Sequence, residues 1–167
     1  MFKTLSAIAL AGSTLLGFAS SAVAGYGMQP WDAQGAANLI RVAESHGIEV
    51  HADHELCRSN RNIYGLMSNK NEMYLCGDNI PNVDMLGEVI RHELVHAAQF
   101  CRWRRGKPML VEPDKFDGFE QYAAVALDFV GQNYPPEQFE VEVEARVMGN
   151  VYSNTQVANI LDKECGL

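Results

Sequence analysis

The segment RHELVHAAQFC, residues 91–101, contains the pattern H-E-x-x-H, formed by His92, Glu93 and His96. The pattern is predicted to lie on a helix, because at about 100° per residue His96 is then roughly 40° from His92 around the axis. Two imidazoles one turn apart can share a metal ion. The chain is therefore expected to hold a regular helix beside a cleft that a metal ion can enter.

Glu93 lies about 60° beyond His96 on this helix, so it borders the same cleft but is poorly placed as a third ligand. A carboxylate there can act as the general base toward water activated by zinc. Catalytic zinc usually has three protein ligands. Since no histidine follows His96, the third is expected among the carboxylates downstream. The candidates are Asp114, Asp117, Glu120, Asp128, Glu140, Glu142 and Glu144.

The first 24 residues are predicted to be a secretory signal peptide. Lys3 gives a short positive region, residues 5–23 carry no charge, and Ala22-Val23-Ala24 forms a cleavage signal. We therefore expect a secreted or periplasmic domain at 25–167, with no membrane span after leader cleavage. Cleavage removes one lysine and no acid, so the net charge changes from −8 to −9, which disfavours a nucleic-acid partner.

All four cysteines lie in the mature part of the chain. An exported chain with an even number of cysteines is expected to form disulfides, here two. The segment between Cys57 and Cys76 is typical of a hairpin, which favours a bond between these two. The remaining pair, Cys101 and Cys165, would then tie the motif helix to the C-terminus.

Three short strands are predicted, GIEVHA at 47–52, NIYGLM at 62–67 and EMYLC at 72–76. The residues SNKN between the last two favour a turn. EMYLC is interpreted as an edge strand that could pair with an extended substrate.

Helices are predicted at 31–46, 116–130 and 153–163, and the motif helix is predicted from a cap at Asn82 or Asp84 to about Trp103. Together the elements predict an α+β fold. We expect a small, mostly antiparallel sheet of about three strands, packed on helices that include the H-E-x-x-H helix.

The segment FEVEVEARV, residues 139–147, gives two conflicting signals. Its strict alternation of apolar and polar residues is typical of a strand. However, it follows Pro135-Pro136-Glu137, a common way to open a helix, and Phe139, Val143 and Val147 would share one helical face. The residues alone leave both structures open.

The motif HELVHAAQFCR followed by a later E-x-x-A resembles small H-E-x-x-H metallopeptidases of gluzincin type that process an ATP synthase subunit in the mitochondrial inter-membrane space. The resemblance covers about half of the mature chain. It implies Glu142 as the third ligand, Ala145 as a small residue that allows close approach, and a helix at 139–147, with Glu144 as the fallback ligand. That family usually has an acidic residue where Gln99 stands, and it lacks this leader.

These observations predict an exported, monomeric zinc metallopeptidase with one Zn²⁺ per chain and a peptide or protein substrate. Glu88 and Gln99 share the histidine face and could orient an imidazole. The oxyanion could be stabilised by a residue such as Tyr122, Tyr152 or Arg146. Two alternatives remain: an inactive, zinc-holding peptide-binding module, against which the intact Glu93 argues, and a peptidoglycan amide hydrolase.

Overall fold

A computed structural model describes residues 30–52, 54–111 and 119–166, so the predicted signal peptide lies outside the described residues. The predicted α+β class is confirmed. The elements in chain order are α1 (Ala33–Ser45), β1 (Glu49–Ala52), α2 (Glu55–Ser59), β2 (Gly65–Met67), β3 (Glu72–Leu75), α3 (Val83–Arg104), α4 (Phe119–Asn133), α5 (Phe139–Val151) and α6 (Asn154–Cys165).

The helix ends follow local capping chemistry. Asp32 accepts a hydrogen bond from the Gly35 N–H at the start of α1, and Gly47 follows the helix at a φ of 76°. Asn82, rather than Asp84, caps α3 with its side chain. The helix predicted at 116–130 is described from residue 119 onward, as α4. The short helix α2 was not predicted.

The three strands form a mixed sheet in the order β1-β3-β2. The β2–β3 pair is antiparallel, as the turn between them predicts, whereas β1 and β3 are parallel. The predicted antiparallel pairing is therefore present between β2 and β3 and is not present between β1 and β3. The interpretation of EMYLC as an edge strand is wrong, because β3 lies between β1 and β2. Local turn chemistry specifies the hairpin, but the parallel pairing depends on packing between segments distant in sequence.

The motif helix α3 lies at the centre of the fold, against α5, α6 and β2. Its Leu94 and Val95 are completely buried, in a core that also contains Met73, Met148 and Leu161. A second apolar cluster joins α4 to α5 and contains Phe119, Ala126, Val130, Val143 and Val147. The helix α5 is therefore packed on two opposite sides, by α3 and by α4.

This two-sided burial explains the alternation in residues 139–147. The segment is helical, as the resemblance implies, and the strand alternative is wrong. Val143 and Val147 face α4. Glu142, Glu144 and Ala145 are buried as well, and residues of this second group meet α3. Buried positions on both sides of one helix produce a pattern that resembles strand alternation.

Both predicted disulfides are present, Cys57–Cys76 and Cys101–Cys165. The second bond joins the end of α3 to the end of α6. Beside it, Arg102 pairs at 3.0 Å with the buried carboxylate of Glu164. Within the described ranges, none of the helices combines the length and the apolar character needed to cross a bilayer.

Candidate metal centre

His92, His96 and Glu142 form a group that could hold a metal ion. The two histidine Nε2 atoms are 3.1 Å apart. The Glu142 Oε2 atom lies 3.5 Å from Nε2 of His96 and 3.7 Å from Nε2 of His92. The structure thus brings together two neighbours on α3 and one carboxylate from α5, within the part of the chain that it describes.

The spacing of the three donor atoms fits a zinc ion. Ligand atoms at about 2.0–2.2 Å from zinc, at tetrahedral angles, are roughly 3.3–3.5 Å apart. The three observed separations of 3.1, 3.5 and 3.7 Å bracket that range. Two imidazoles and one carboxylate are also a common donor set for catalytic zinc.

Without a metal, the group holds one shared proton. Burial, together with the charge of His96, lowers the pKa of His92 to about 3. Burial also lowers the pKa of His96, but Glu142 more than offsets this and raises it to about 9. Burial would raise the pKa of Glu142, yet its attraction to His96 holds it below the ordinary value. The metal-free site is therefore a His96–Glu142 ion pair beside a neutral His92.

The close approach of α5 to α3 depends on small residues. His92 forms a hydrogen bond with the backbone of Ala145, which is completely buried. A Cβ atom added to Gly149 would lie 3.1 Å from both N and Cβ of His92. Ala145 was expected from the resemblance, whereas the role of Gly149 was not predicted. The helical spacing of these two small residues on α5 was the available signal.

His96 is oriented by Gln99, one of the two residues expected to orient an imidazole. Its Nδ1 atom lies 2.7 Å from Oε1 of Gln99. The Gln99 amide in turn donates to Glu144 at 2.8 Å. The fallback ligand Glu144 is thus engaged with Gln99, outside the metal group. Glu88 accepts a hydrogen bond from Asn150, so its expected contact with an imidazole is not formed.

Glu93 is 5% exposed and lies on the side of α3 that meets β2. Burial raises its pKa to about 7, against the lowering effects of His96 and of a hydrogen bond from the Met67 backbone. Its Oε2 atom is buried and has no hydrogen-bond partner among the described residues. A Cβ at Gly65 would lie 2.7 Å from Oε1 of Glu93, so glycine permits this contact between strand and helix.

The other carboxylates predicted as candidate ligands do not belong to the metal group within the described residues. Glu120, Asp128 and Glu140 are exposed, and Asp114 and Asp117 fall outside the described residues.

The three candidates for oxyanion stabilisation differ in position. Tyr122 packs in the cluster around α4, and Tyr152 packs against the main core. The charge of Arg146 acts on both His92 and Glu142, while its guanidinium lies 3.9 Å from the centre of the Phe129 ring. Of the three, Arg146 is the one whose charge reaches the metal group.

A cleft of about 300 Å³ opens beside the metal group, and His96 and Glu142 form part of its wall. Tyr74 also lines it, with the rings of His51 and His54 at 5.1 and 4.8 Å from the tyrosine ring. The apolar part of the wall comes from the side chains of Leu56, Leu66, Met67, Phe100, Met109 and Val141.

Comparisons with protein-family models, with curated proteins and with solved structures found no match for this chain.

Proposed function

We propose that this protein is an exported zinc-dependent metallopeptidase. His92, His96 and Glu142 would bind one zinc ion per chain, and Glu93 would be the general base. The observation that carries the proposal is the buried oxygen of Glu93, which has no hydrogen-bond partner among the described residues and is held next to a three-residue group with the spacing of a zinc site. Leaving a buried carboxylate oxygen without a partner costs free energy, so such an atom at a metal group is a mark of function.

Zinc, when bound, supplies a Lewis acid that lets water act as a nucleophile at neutral pH. Glu93 takes one proton from the attacking water. The water oxygen bonds to the peptide carbonyl carbon, and the C–N bond breaks as Glu93 delivers the proton to the amine. A carboxylate at this position can accept the proton of the attacking water and return it to the amine.

The cleft supports a peptide as the substrate. Its mainly apolar wall suits peptide side chains, and β2 has one edge without a strand partner among the described residues. Met67 belongs to β2, lines the cleft, and donates its N–H to Glu93. We propose that the substrate adds as a strand at this edge of β2. This replaces the expectation that it pairs with β3.

Two disulfides support an oxidising compartment, since such bonds are rare in the cytosol. This agrees with a leader at 1–24 and a secreted or periplasmic mature domain. A monomer that binds neither nucleic acid nor a membrane remains our proposal for its assembly and partners.

Glu93→Gln tests the function. This variant keeps the size of the side chain, so zinc content should be unchanged. Because the amide cannot take up the proton, cleavage of unfolded casein should fall by roughly 10²–10⁴-fold. Glu140→Gln, at an exposed glutamate of α5, is the matched control and should keep full activity. Full activity in Glu93→Gln would remove this residue from the mechanism.

Cell-wall peptides should be assayed in parallel with casein. Wild-type cleavage of cell-wall peptides alone would favour the amide hydrolase. Wild-type protein that binds zinc and cleaves neither substrate would favour the inactive binding module.

A further inference from the structure

A chain of buried polar groups lies behind His96, on the side away from the metal group. Gln99 is completely buried, and its Oε1 is 2.7 Å from Nδ1 of His96. Its Nε2 donates to the Glu144 carboxylate at 2.8 Å and to the carbonyl oxygen of Val141 at 3.0 Å. Every hydrogen-bonding atom of this buried amide therefore has a partner.

The partners on α5 fix which way the Gln99 amide points. A carboxylate and a carbonyl oxygen can only accept hydrogen bonds, so the amide nitrogen must face Glu144 and the amide oxygen must face His96. Since this oxygen can only accept, Nδ1 of His96 must carry a hydrogen. In a neutral imidazole, the lone pair is then on Nε2, the atom that faces His92 and Glu142.

Glu144 itself is held from two directions. It is 3% exposed, and its two carboxylate oxygens lie 3.0 and 2.9 Å from the backbone N of Val111. Val111 is 1% exposed and follows closely after Met109, which lines the cleft. The carboxylate thus connects the cleft wall to the amide that contacts His96.

We infer that Gln99 and Glu144 act as a coupled positioning pair, in which Glu144 fixes the Gln99 amide and Gln99 fixes the ring and tautomer of His96. The inference rests on the metal site of the proposed function. It gives Glu144 the role of a buried hydrogen-bond acceptor that acts through Gln99, and not the role of a ligand.

The pair is tested with zinc itself as the probe, by chelator competition on the mature protein. Gln99→Met keeps the length of the side chain but removes the acceptor for Nδ1–H. Zinc affinity should fall by roughly 10–100-fold, the usual effect of losing a partner behind a metal-bound histidine. In the zinc-loaded wild type, NMR should detect a His96 Nδ1–H proton that exchanges slowly, and Gln99→Met should lose this signal.

A charge swap separates coupling from packing. Gln99→Glu places a second buried carboxylate next to Glu144, so zinc affinity should again fall by roughly 10–100-fold. In Gln99→Glu combined with Glu144→Gln, the carboxylate now at position 99 can accept from His96, and the amide now at position 144 can donate to that carboxylate. The double variant should bind zinc roughly threefold or more tightly than Gln99→Glu alone, a positive coupling between neighbours. It should stay below wild type, because the carbonyl of Val141 loses the donor that Gln99 supplies.

The outcomes are distinct. Wild-type affinity in Gln99→Met, or a double variant no better than Gln99→Glu alone, overturns the positioning pair and leaves the zinc site intact. A wild-type protein that binds no zinc overturns the proposed function together with this inference. If Gln99→Glu does not fold, a double variant that folds and shows the Nδ1–H signal still supports the pair. A double variant that folds without that signal contradicts it.

Discussion

Oε2 of Glu142 lies 3.5 Å from Nε2 of His96, although the two residues belong to different helices and both side chains are nearly buried. The contact pairs a carboxylate of low pKa with an imidazole of high pKa. A buried ion pair of this kind is costly to desolvate and adds little to stability. A metal ion that replaces the proton between the two groups is the simplest reason for such a pair.

Glu142→Gln should therefore remove most of the zinc binding. Purified wild-type protein should carry about one zinc per chain. The variant should lose roughly 100-fold or more in zinc affinity, beyond the 10–100-fold typical of residues that only support a ligand. Glu140→Gln, two residues away and exposed, should bind zinc as the wild type does. Equal zinc content in Glu142→Gln would exclude this carboxylate as the third ligand.

Gly65→Ala should disturb the general base and leave the metal ligands in place. The new Cβ would lie 2.7 Å from Glu93 Oε1 and from Val89 Cγ1, so these side chains or β2 must shift. We expect a loss of about 1–3 kcal/mol in the free energy of unfolding. We also expect roughly 100-fold lower activity, because the base is misplaced, at unchanged zinc content.

Gly131→Ala is the control for this change. A Cβ at Gly131 meets no atom nearer than the Phe139 ring at 4.0 Å. Alanine in an exposed helix should raise the free energy of unfolding by about 0.5–1 kcal/mol relative to glycine. If Gly65→Ala unfolds at the same denaturant concentration as wild type, the contact between strand and helix is looser than the distance indicates.

Zinc affinity should rise with pH. The metal-free site keeps a proton on His96, whose pKa is raised to about 9, whereas His92, with a pKa of about 3, is already neutral. Binding must expel that one proton, so the apparent affinity should increase roughly tenfold per pH unit up to about pH 9 and then level off. Competition titrations between about pH 6 and 8, with an indicator for released protons, measure both quantities. A flat profile would mean that His96 is neutral before zinc binds.

The two disulfides should differ in what they contribute to stability. Cys101–Cys165 closes a span of 64 residues and Cys57–Cys76 a span of 19. The loop-entropy relation gives about 4 kcal/mol for the longer loop and about 3 kcal/mol for the shorter one. Denaturant unfolding of the two paired Cys→Ala variants should therefore show the larger loss for Cys101–Cys165. The reverse order would mean that local packing around Cys57 outweighs loop entropy.

Local signals predicted much of the fold correctly. Asp32 and Gly47 mark the ends of α1, and the turn before Glu72 marks the β2–β3 hairpin. Gly65 within a strand run is a sign of close backbone approach, but the contact with Glu93 was not predicted from it. By contrast, the alternation alone did not distinguish Glu142 from Glu144, and the prediction of Glu142 depended on the resemblance and its E-x-x-A motif.

That His92 and His96 share one edge of a helix could be read from the sequence, because helical periodicity is a property of neighbouring residues. The same holds for where most elements begin and end, because caps and turns are local. The packed fold was needed to show that Glu142 completes the group while Glu144 bonds to Gln99 and Val111. That choice depends on how α5 is rotated between α3 and α4, and such a rotation is set by packing across the whole core.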